Sequence, residues 1–254
     1  RYRDKMDAYL NALEKEMTQC KEWLAGKQMG SVYVGGGTPT SLSEEQFERL
    51  MAMTEKYLPM EQSKEFTVEA GRPDSITEGK LRSMKTHGVT RISINPQSMK
   101  EHTLELLGRK HTVEEIREKF MLARTLGFDN INMDLIAGLP EETLEDFKET
   151  LREVEALKPD SITVHTLVIK RASRLRKEQL EQGGEMREED ACIEPMQKEA
   201  EQFCRVHGYE PYYMYRQKNK AHTTRNTNQE NVAYAKPGKE CLYNIFIMEE
   251  LQSI

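Results

Sequence analysis

The sequence has few cysteines, and they are far apart. The four lie at positions 20, 192, 204 and 241, with no Cys-x-x-Cys pair among them. Zinc and iron–sulfur sites usually depend on closely spaced cysteines, so the sequence on its own indicates neither. Scattered thiols are most often free and inert. We therefore predict no metal ligand within this sequence.

An excess of basic charge and long apolar runs are also lacking. Lys and Arg number 37 against 43 Asp and Glu, which gives a formal net charge of −6. Nucleic-acid-binding proteins usually carry a basic patch. No apolar run approaches the roughly 20 residues that span a bilayer, and nothing resembles a signal peptide. We expect a soluble cytoplasmic protein with neither nucleic acid nor membrane as a partner.

The two ends of the chain lack the features of natural boundaries. Arg1 lies directly inside an amphipathic helical pattern, and the chain stops at Ile254 with no obvious closing element. We expect both ends to be cuts through a longer protein. A chain of 254 residues can nevertheless bury one sizeable core, as α/β barrels of about this length do.

The most informative stretch present is 31–42, SVYVGGGTPTSL. A run of β-branched and aromatic residues ends at three consecutive glycines, and Ser43 then begins a helical pattern with Gln46 as its capping-box partner. Consecutive glycines let the backbone approach a ligand closely and leave its N–H and C=O groups uncovered. A ligand-binding turn and a plain turn of an α/β protein both remain open at this point.

Strand and helix patterns alternate five times along the chain. The predicted strands are 32–34, 65–70, 90–94, 130–136 and 161–165, and the predicted helices are about 4–24, 43–57, 77–86, 112–126 and 143–157. The third strand is predicted to stop before Asn95-Pro96, and a loop is expected before the fourth helix. Such alternation predicts parallel strands joined by helical crossovers, either in a barrel or in an open sheet.

Polar residues follow the predicted strands at their carboxyl ends, where ligands bind in both architectures. A single one could simply cap a helix, but several after different strands favour a shared ligand site. They are Gly35 to Thr38, Glu69, Gln97, Asp134 and His165. Further on, 209–215 is expected to form a strand and 218–230 a mobile loop.

Five motifs in order carry a specific resemblance: GGGTPT, VEAGRPDS, RISINPQSM, GRKHT and INMDLIAGLP. They resemble the oxygen-independent coproporphyrinogen III oxidase-like family of radical S-adenosylmethionine (SAM) proteins. The closing segment is similar to its coproporphyrinogen dehydrogenase branch. The resemblance implies an α/β fold, with a partial (β/α)6 barrel over 1–169 that is truncated at the N-terminus. Residues 170–254 are expected to be a helical and strand extension completing the barrel edge, truncated at its end.

The resemblance also implies a SAM site. Gly36, Gly37 and Thr38 correspond to the turn that receives the methionine part of the cofactor. Glu69 corresponds to a carboxylate that binds it, and Gln97 to the amide partner of that carboxylate. For Gln97, a hydrogen bond to neighbouring backbone is the alternative. The resemblance leaves open whether one or two SAM molecules bind.

Three further positions complete the implied cofactor site. Arg109 corresponds to an arginine that pairs with a cofactor carboxylate, and Asp134 to an acid that accepts hydrogen bonds from ribose hydroxyls. Val168 corresponds to a backbone contact near the adenine. Arg109 could instead hold its own loop through Glu105, and Asp134 could cap the helix near Thr143.

A [4Fe-4S] cluster is implied by the resemblance, but its ligands are absent from this sequence. The family holds the cluster with a Cys-x3-Cys-x2-Cys loop after the first barrel strand. That strand and loop are missing here and are expected upstream of Arg1 in the full-length protein. The chain as written is therefore expected to be inactive.

The implied reaction is oxidative decarboxylation of porphyrinogen propionates to vinyl groups in haem synthesis without oxygen. Its partners would be a porphyrinogen or haem and an electron donor such as flavodoxin or ferredoxin. The sequence identifies no catalytic residue, although Arg171, Arg174 and Arg176 are candidates for binding propionates. Two alternatives stay open: a haem chaperone-like binding protein and a radical SAM haem-degrading enzyme.

Overall fold

The computed structural model describes residues 5–166, 190–216 and 230–250. These residues form two compact units. The first contains 5–95, 114–132 and 241–250, and the second contains 96–113, 133–166, 190–216 and 230–240. None of the helices in the described ranges is long and apolar enough to cross a membrane.

Helices and strands alternate through most of the described chain. The strands are β1 Ser31–Val34, β2 Glu65–Gly71, β3 Arg91–Gln97, β4 Ile131–Ala137, β5 Ser161–Thr166, β6 Glu210–Arg216 and β7 Glu230–Ala235. The helices are α1 Met6–Leu24, α2 Glu44–Tyr57, α3 Glu78–Thr86, α4 Glu101–Leu106, α5 Val113–Thr125, α6 Leu144–Leu157, α7 Asp190–Val206 and α8 Leu242–Met248. All five predicted strands and all five predicted helices are present, as is the strand expected at 209–215.

Two sequence-based expectations about the elements are wrong. Strand β3 does not stop before Asn95-Pro96 but continues to Gln97, because the fixed φ of proline is compatible with a strand and removes only one donor. The loop expected before α5 contains the short helix α4. The described chain also contains the helix α8, which the sequence does not predict; its N-terminal N–H groups donate to a residue far away in the sequence.

The strands form one sheet in the order β1-β2-β3-β4-β5-β7-β6. Strand β1 pairs in parallel with β2, with Val34 opposite Val68, and β2 pairs in parallel with β3, with Glu69 opposite Ser93. Strand β7 is antiparallel to both β5 and β6. The register places the carboxyl ends of β1 and β2 at the same edge of the first unit.

Local capping explains where two of the long helices begin. In α2, the Ser43 hydroxyl accepts from the Gln46 N–H at 3.2 Å, and the Gln46 side chain accepts from the Ser43 N–H at 3.2 Å. In α6, Thr143 and Asp146 form the same reciprocal pair. Each box satisfies N–H groups that have no partner inside the helix.

The inner strands alternate between apolar and polar side chains, and the apolar set lies in the core. Successive side chains of a strand point to opposite faces of the sheet, so the polar set shares the other face. The buried apolar residues are Val68, Ala70, Ile92, Ile94, Ile131, Met133, Leu135, Ile162 and Val164. The polar residues that alternate with them are Thr67, Glu69, Ser93, Asn95, Asn132, Asp134, Thr163 and His165.

Candidate functional site

In the first unit, the glycine turn lies directly beside Glu69. A side chain cannot be accommodated at Gly35, because its Cβ would lie 2.3 Å from the Tyr33 ring and 3.0 Å from Oε2 of Glu69. The missing Cβ is therefore what allows the turn to approach the Glu69 carboxylate so closely.

The next two glycines are required for a different reason. Gly36 has φ +82° and Gly37 has φ +116°, and a Cβ at either would meet no atom within 4 Å. L-residues are strained in such conformations. The side of the turn on which a Cβ would lie therefore borders open space among the described residues.

Thr38 and the segment after it are held against the end of β2. The Thr38 methyl group lies 3.2 Å from where a Cβ of Gly71 would be. The Thr40 hydroxyl donates to the Ala70 carbonyl, and the buried Lys80 ammonium donates to the Thr40 carbonyl at 2.6 Å. These contacts fix the exit of the turn to β2 and α3.

Glu69 also receives a hydrogen bond from the neighbouring strand. Nδ2 of Asn95 lies 3.4 Å from Oε1 of Glu69, and Oδ1 of Asn95 accepts from the Ser93 hydroxyl at 2.6 Å. Nδ2 of Asn132 donates to the same Ser93 oxygen at 3.1 Å. We did not single out Asn95, Ser93 or Asn132 from the sequence. The signal was the alternation of polar residues along β3 and β4.

In the second unit, Asp134 lies close to His165. Nε2 of His165, near the end of β5, is 3.8 Å from Oδ2 of Asp134, which lies in the middle of β4. The alternative that Asp134 caps α6 is not supported, because Thr143 and Asp146 form that cap. Asp134 is therefore placed beside a side chain that can carry positive charge.

The remaining predicted site residues are distributed as follows. Gln97 ends β3 in the left-handed region, with φ +71°, and Arg109 is half-buried just beyond α4. Both belong to the second unit, whereas Gly36, Gly37, Thr38 and Glu69 belong to the first. Val168 and the candidate arginines at 171, 174 and 176 lie outside the described residues, as does most of the predicted mobile loop at 218–230.

The first unit fits SAM, because a glycine turn with open space at Gly36 and Gly37 lies beside Glu69, whose carboxylate can accept from an ammonium group. The described cysteines do not fit an iron–sulfur cluster, which needs thiolates. Burial raises the pKa of Cys204 to about 12 and that of Cys241 to about 11, so both are protonated thiols. Within the described ranges, no group of three or more His, Cys, Asp or Glu could hold a metal ion.

Comparison with known proteins identifies the class. Residues 3–154 match the Radical SAM superfamily, and the chain belongs to that superfamily. Its members in general use SAM and a [4Fe-4S] cluster.

Some of the relatives are named as coproporphyrinogen oxidases or oxidase-like proteins, and others as heme chaperones. The chain is 45% identical over 253 residues to the oxygen-independent coproporphyrinogen-III oxidase-like protein HemZ of Bacillus subtilis (strain 168), covering 98% of this chain and 49% of that protein. It is 38% identical over 165 residues to the Heme chaperone HemW of the same organism, covering 65% of this chain and 43% of that protein. The chain thus spans about half the length of the curated relatives that it matches.

A solved structure supports the fold assignment. Coproporphyrinogen III oxidase (HemN) from Escherichia coli, described as a radical SAM enzyme, superposes with a TM-score of 0.74 at 26% identity. The match covers 98% of this chain and 52% of HemN. This likeness confirms the predicted α/β fold of the partial radical SAM barrel type.

Proposed function

We propose that this chain is the SAM-binding part of an enzyme that oxidatively decarboxylates the propionates of coproporphyrinogen III. The observation that carries the proposal is the glycine turn beside Glu69. There, open backbone and a carboxylate meet at the carboxyl ends of two parallel strands. Ligands of α/β proteins bind at such strand ends.

In this proposal, the first unit holds the methionine part of SAM. The backbone of Gly36 and Gly37 hydrogen-bonds its polar groups, Thr38 borders it, and Glu69 accepts from its ammonium group. A carboxylate paired with an ammonium gives a charge-assisted hydrogen bond, which is stronger than a neutral one. These residues bind and orient the cofactor, so that its reactive group is presented to the substrate.

The remaining cofactor contacts are proposed from the family resemblance alone. Asp134 accepts from ribose hydroxyls, Arg109 pairs with a cofactor carboxylate, and Gln97 contributes an amide. Val168 is proposed to make a backbone contact near the adenine.

The proposed reaction converts each reacting propionate into a vinyl group. The side chain loses one hydrogen atom, carbon dioxide and one electron, which balances the change from –CH2–CH2–COO⁻ to –CH=CH2, and the electron passes to an external one-electron acceptor. SAM, when bound, supplies the acceptor of that hydrogen atom. We propose a flavodoxin or ferredoxin as the electron donor partner, and candidate propionate contacts at Arg171, Arg174 and Arg176. The names of HemZ and HemN support the choice of substrate.

A second candidate function is haem binding and delivery, favoured by the likeness to HemW. The two are separated by giving the complete protein, reconstituted anaerobically with iron, sulfide and SAM, either coproporphyrinogen III or haem. Loss of propionates, followed by mass spectrometry, supports the enzyme. Tight haem binding without any decarboxylated product would overturn it in favour of the chaperone.

The cofactor site itself is tested by binding of S-adenosylhomocysteine, which keeps the ammonium and ribose of SAM. Gly37→Ala and Glu69→Gln should each weaken binding, by about tenfold for the carboxylate. Gly26→Ala is the matched control, because Gly26 also has a positive φ with open space around it but lies at the end of α1. Equal affinity of the wild type and all three variants would show that the cofactor does not bind at the glycine turn.

A further inference from the structure

We propose that Asn95 is a positioning residue that sets the charge state and orientation of Glu69. This inference rests on the proposed function, because the ligand of Glu69 is taken to be the ammonium group of SAM. The observation is a chain of hydrogen bonds that runs across three strands, from Asn132 on β4 through Ser93 and Asn95 on β3 to Glu69 on β2.

The direction of this chain follows from the chemistry of its last member. An ionised carboxylate only accepts hydrogen bonds, so Asn95 must turn its Nδ2 toward Glu69 and its Oδ1 toward Ser93. The Ser93 hydroxyl then donates its single hydrogen to Oδ1 and accepts from Nδ2 of Asn132. Turning the Asn95 amide around would place two acceptors against each other at Glu69.

Burial makes this arrangement rigid. Ser93 is 2% exposed, Asn132 is 3% exposed and Asn95 is 9% exposed, so water does not readily replace a lost partner. Side chains locked on strands are positioned more exactly than side chains on loops. The contact to Glu69 is the longest of the three, at 3.4 Å.

These hydrogen bonds place the two oxygens of the Glu69 carboxylate in different environments. Oε1 faces Asn95, whereas Oε2 lies 3.0 Å from the Cβ position of Gly35 and so faces the glycine turn. Donation to Oε1 favours the ionised carboxylate, and it orients the group so that Oε2 lies on the side of the glycine turn. The site is therefore built for a ligand group that is cationic and can donate a hydrogen bond, such as a primary ammonium.

Asn95→Asp tests this idea, because it replaces the amide that donates to Glu69 with a carboxylate. The introduced side chain can still accept from Ser93, but it then faces Glu69 with a second negative charge. Two carboxylates at this separation share a proton over a raised pH range. When the proton is present, the introduced carboxyl group donates to Glu69 as the amide did. When it is lost, the pair repels.

The measurement is the affinity of the complete protein for S-adenosylhomocysteine between about pH 5.5 and pH 8.5. For Asn95→Asp we expect wild-type affinity at the acidic end and a loss of about tenfold at the basic end. Ser93→Ala should weaken binding about threefold with no such pH dependence, because it only frees the Asn95 amide to rotate. Asn11→Asp is the control for charge, since Asn11 is exposed on α1 and accepts from Arg49.

Two binding results would overturn the proposal. Either wild-type affinity of Asn95→Asp at every pH, or a loss that is the same at every pH, means that Asn95 does not set the state of Glu69. If the wild-type protein binds no S-adenosylhomocysteine at all, the proposed function fails instead. The free energy of unfolding then decides the inference, because a shared proton makes Asn95→Asp lose stability relative to wild type as the pH rises. A pH-independent difference in stability would overturn it.

Discussion

The Lys80 ammonium donates to the backbone carbonyl of Thr40 at 2.6 Å and to that of Ser75 at 3.0 Å. Its side chain is buried, and burial lowers the pKa of this ammonium. Thr40 follows the glycine turn by only a few residues, so a buried charge on α3 anchors the exit of the candidate cofactor site. Burying an ammonium is costly unless it is well hydrogen-bonded, and these carbonyls offset that cost.

Replacing this lysine should therefore loosen the turn. Lys80→Met keeps the apolar stem but leaves the Thr40 and Ser75 carbonyls without their donor, which should cost about 1–3 kcal/mol in the free energy of unfolding. Binding of S-adenosylhomocysteine should weaken as well. Lys64→Met is the control, because Lys64 is exposed. Urea unfolding measures the first effect, and a variant as stable as the control would show that the anchor is not needed.

A second prediction concerns the cap of α8. The buried Glu65 carboxylate accepts from the Leu242 N–H at 2.8 Å and from the Tyr243 N–H at 3.3 Å, and the Cys241 thiol lies 3.5 Å from it. Glu65→Ala should release the start of α8 at a cost of about 1–2 kcal/mol. In the wild type, Cys241 should be alkylated slowly, because burial raises its pKa to about 11. In the variant it should react faster.

Site-resolved mass spectrometry after alkylation separates local release from unfolding. Cys204 is buried in the second unit, and burial raises its pKa to about 12. It should stay slow in the variant if only α8 is released, and faster labelling of both thiols would contradict a local effect. Glu61→Ala is the matched control, since Glu61 is exposed.

The contrast between α2 and α8 shows which features can be predicted from sequence. The cap of α2 lies three residues from its partner, so Ser43 and Gln46 reveal the start of that helix. The cap of α8 comes from Glu65, more than 170 residues earlier in the chain, and no local pattern records it. Long-range partners become neighbours only through the fold, and for that reason the sequence does not predict α8.

The candidate site also combines features that local sequence predicts with features that depend on long-range contacts. Three consecutive glycines predict a turn from local sequence alone. The role of Asn95, in contrast, depends on contacts between strands that are far apart in the sequence. The Asn95-Pro96 pair predicts a strand end, because proline removes a donor. In the sheet β3 continues through it to Gln97, and Asn95 faces Glu69 from the middle of the strand.

A third prediction is a pH-dependent contribution from His87. Its ring nitrogens lie 2.6 Å from Glu55 and 2.8 Å from Glu48, both on α2. Burial lowers the pKa of His87, but the hydrogen bonds and charges of the two carboxylates outweigh it, so the pKa is raised. This stabilisation is complete below the unfolded pKa of about 6.5 and is lost as the pH rises through the folded pKa.

Urea unfolding at about pH 6 and pH 8.5 tests the His87 contribution. His87→Gln should lose about 0.5–1 kcal/mol at the lower pH and little at the higher one, because both glutamates are exposed. His102→Gln is the control, since His102 is exposed and has one carboxylate partner, Glu141. A loss that is equal at both pH values would mean that His87 acts by packing alone.

The last prediction concerns a buried acid in the second unit. The Ser98 hydroxyl donates to Oε1 of Glu142, while Oε2 is buried without a hydrogen-bond partner among the described residues. Burial raises the pKa of Glu142 above its ordinary value of 4.5. As the pH rises, the unfolded chain therefore loses this proton before the folded protein does. Stability should fall with rising pH between the unfolded and the folded pKa.

Glu142→Gln removes this penalty, because the amide stays neutral and its oxygen can still accept from Ser98. The variant should be at least as stable as wild type at about pH 7, and its advantage should shrink toward about pH 4.5 as wild-type Glu142 gains its proton. Glu141→Gln makes the same change at an exposed neighbour and should show no such trend. Urea unfolding across this range is decisive, because an ionised Glu142 that truly stabilises the fold would make Glu142→Gln less stable at neutral pH.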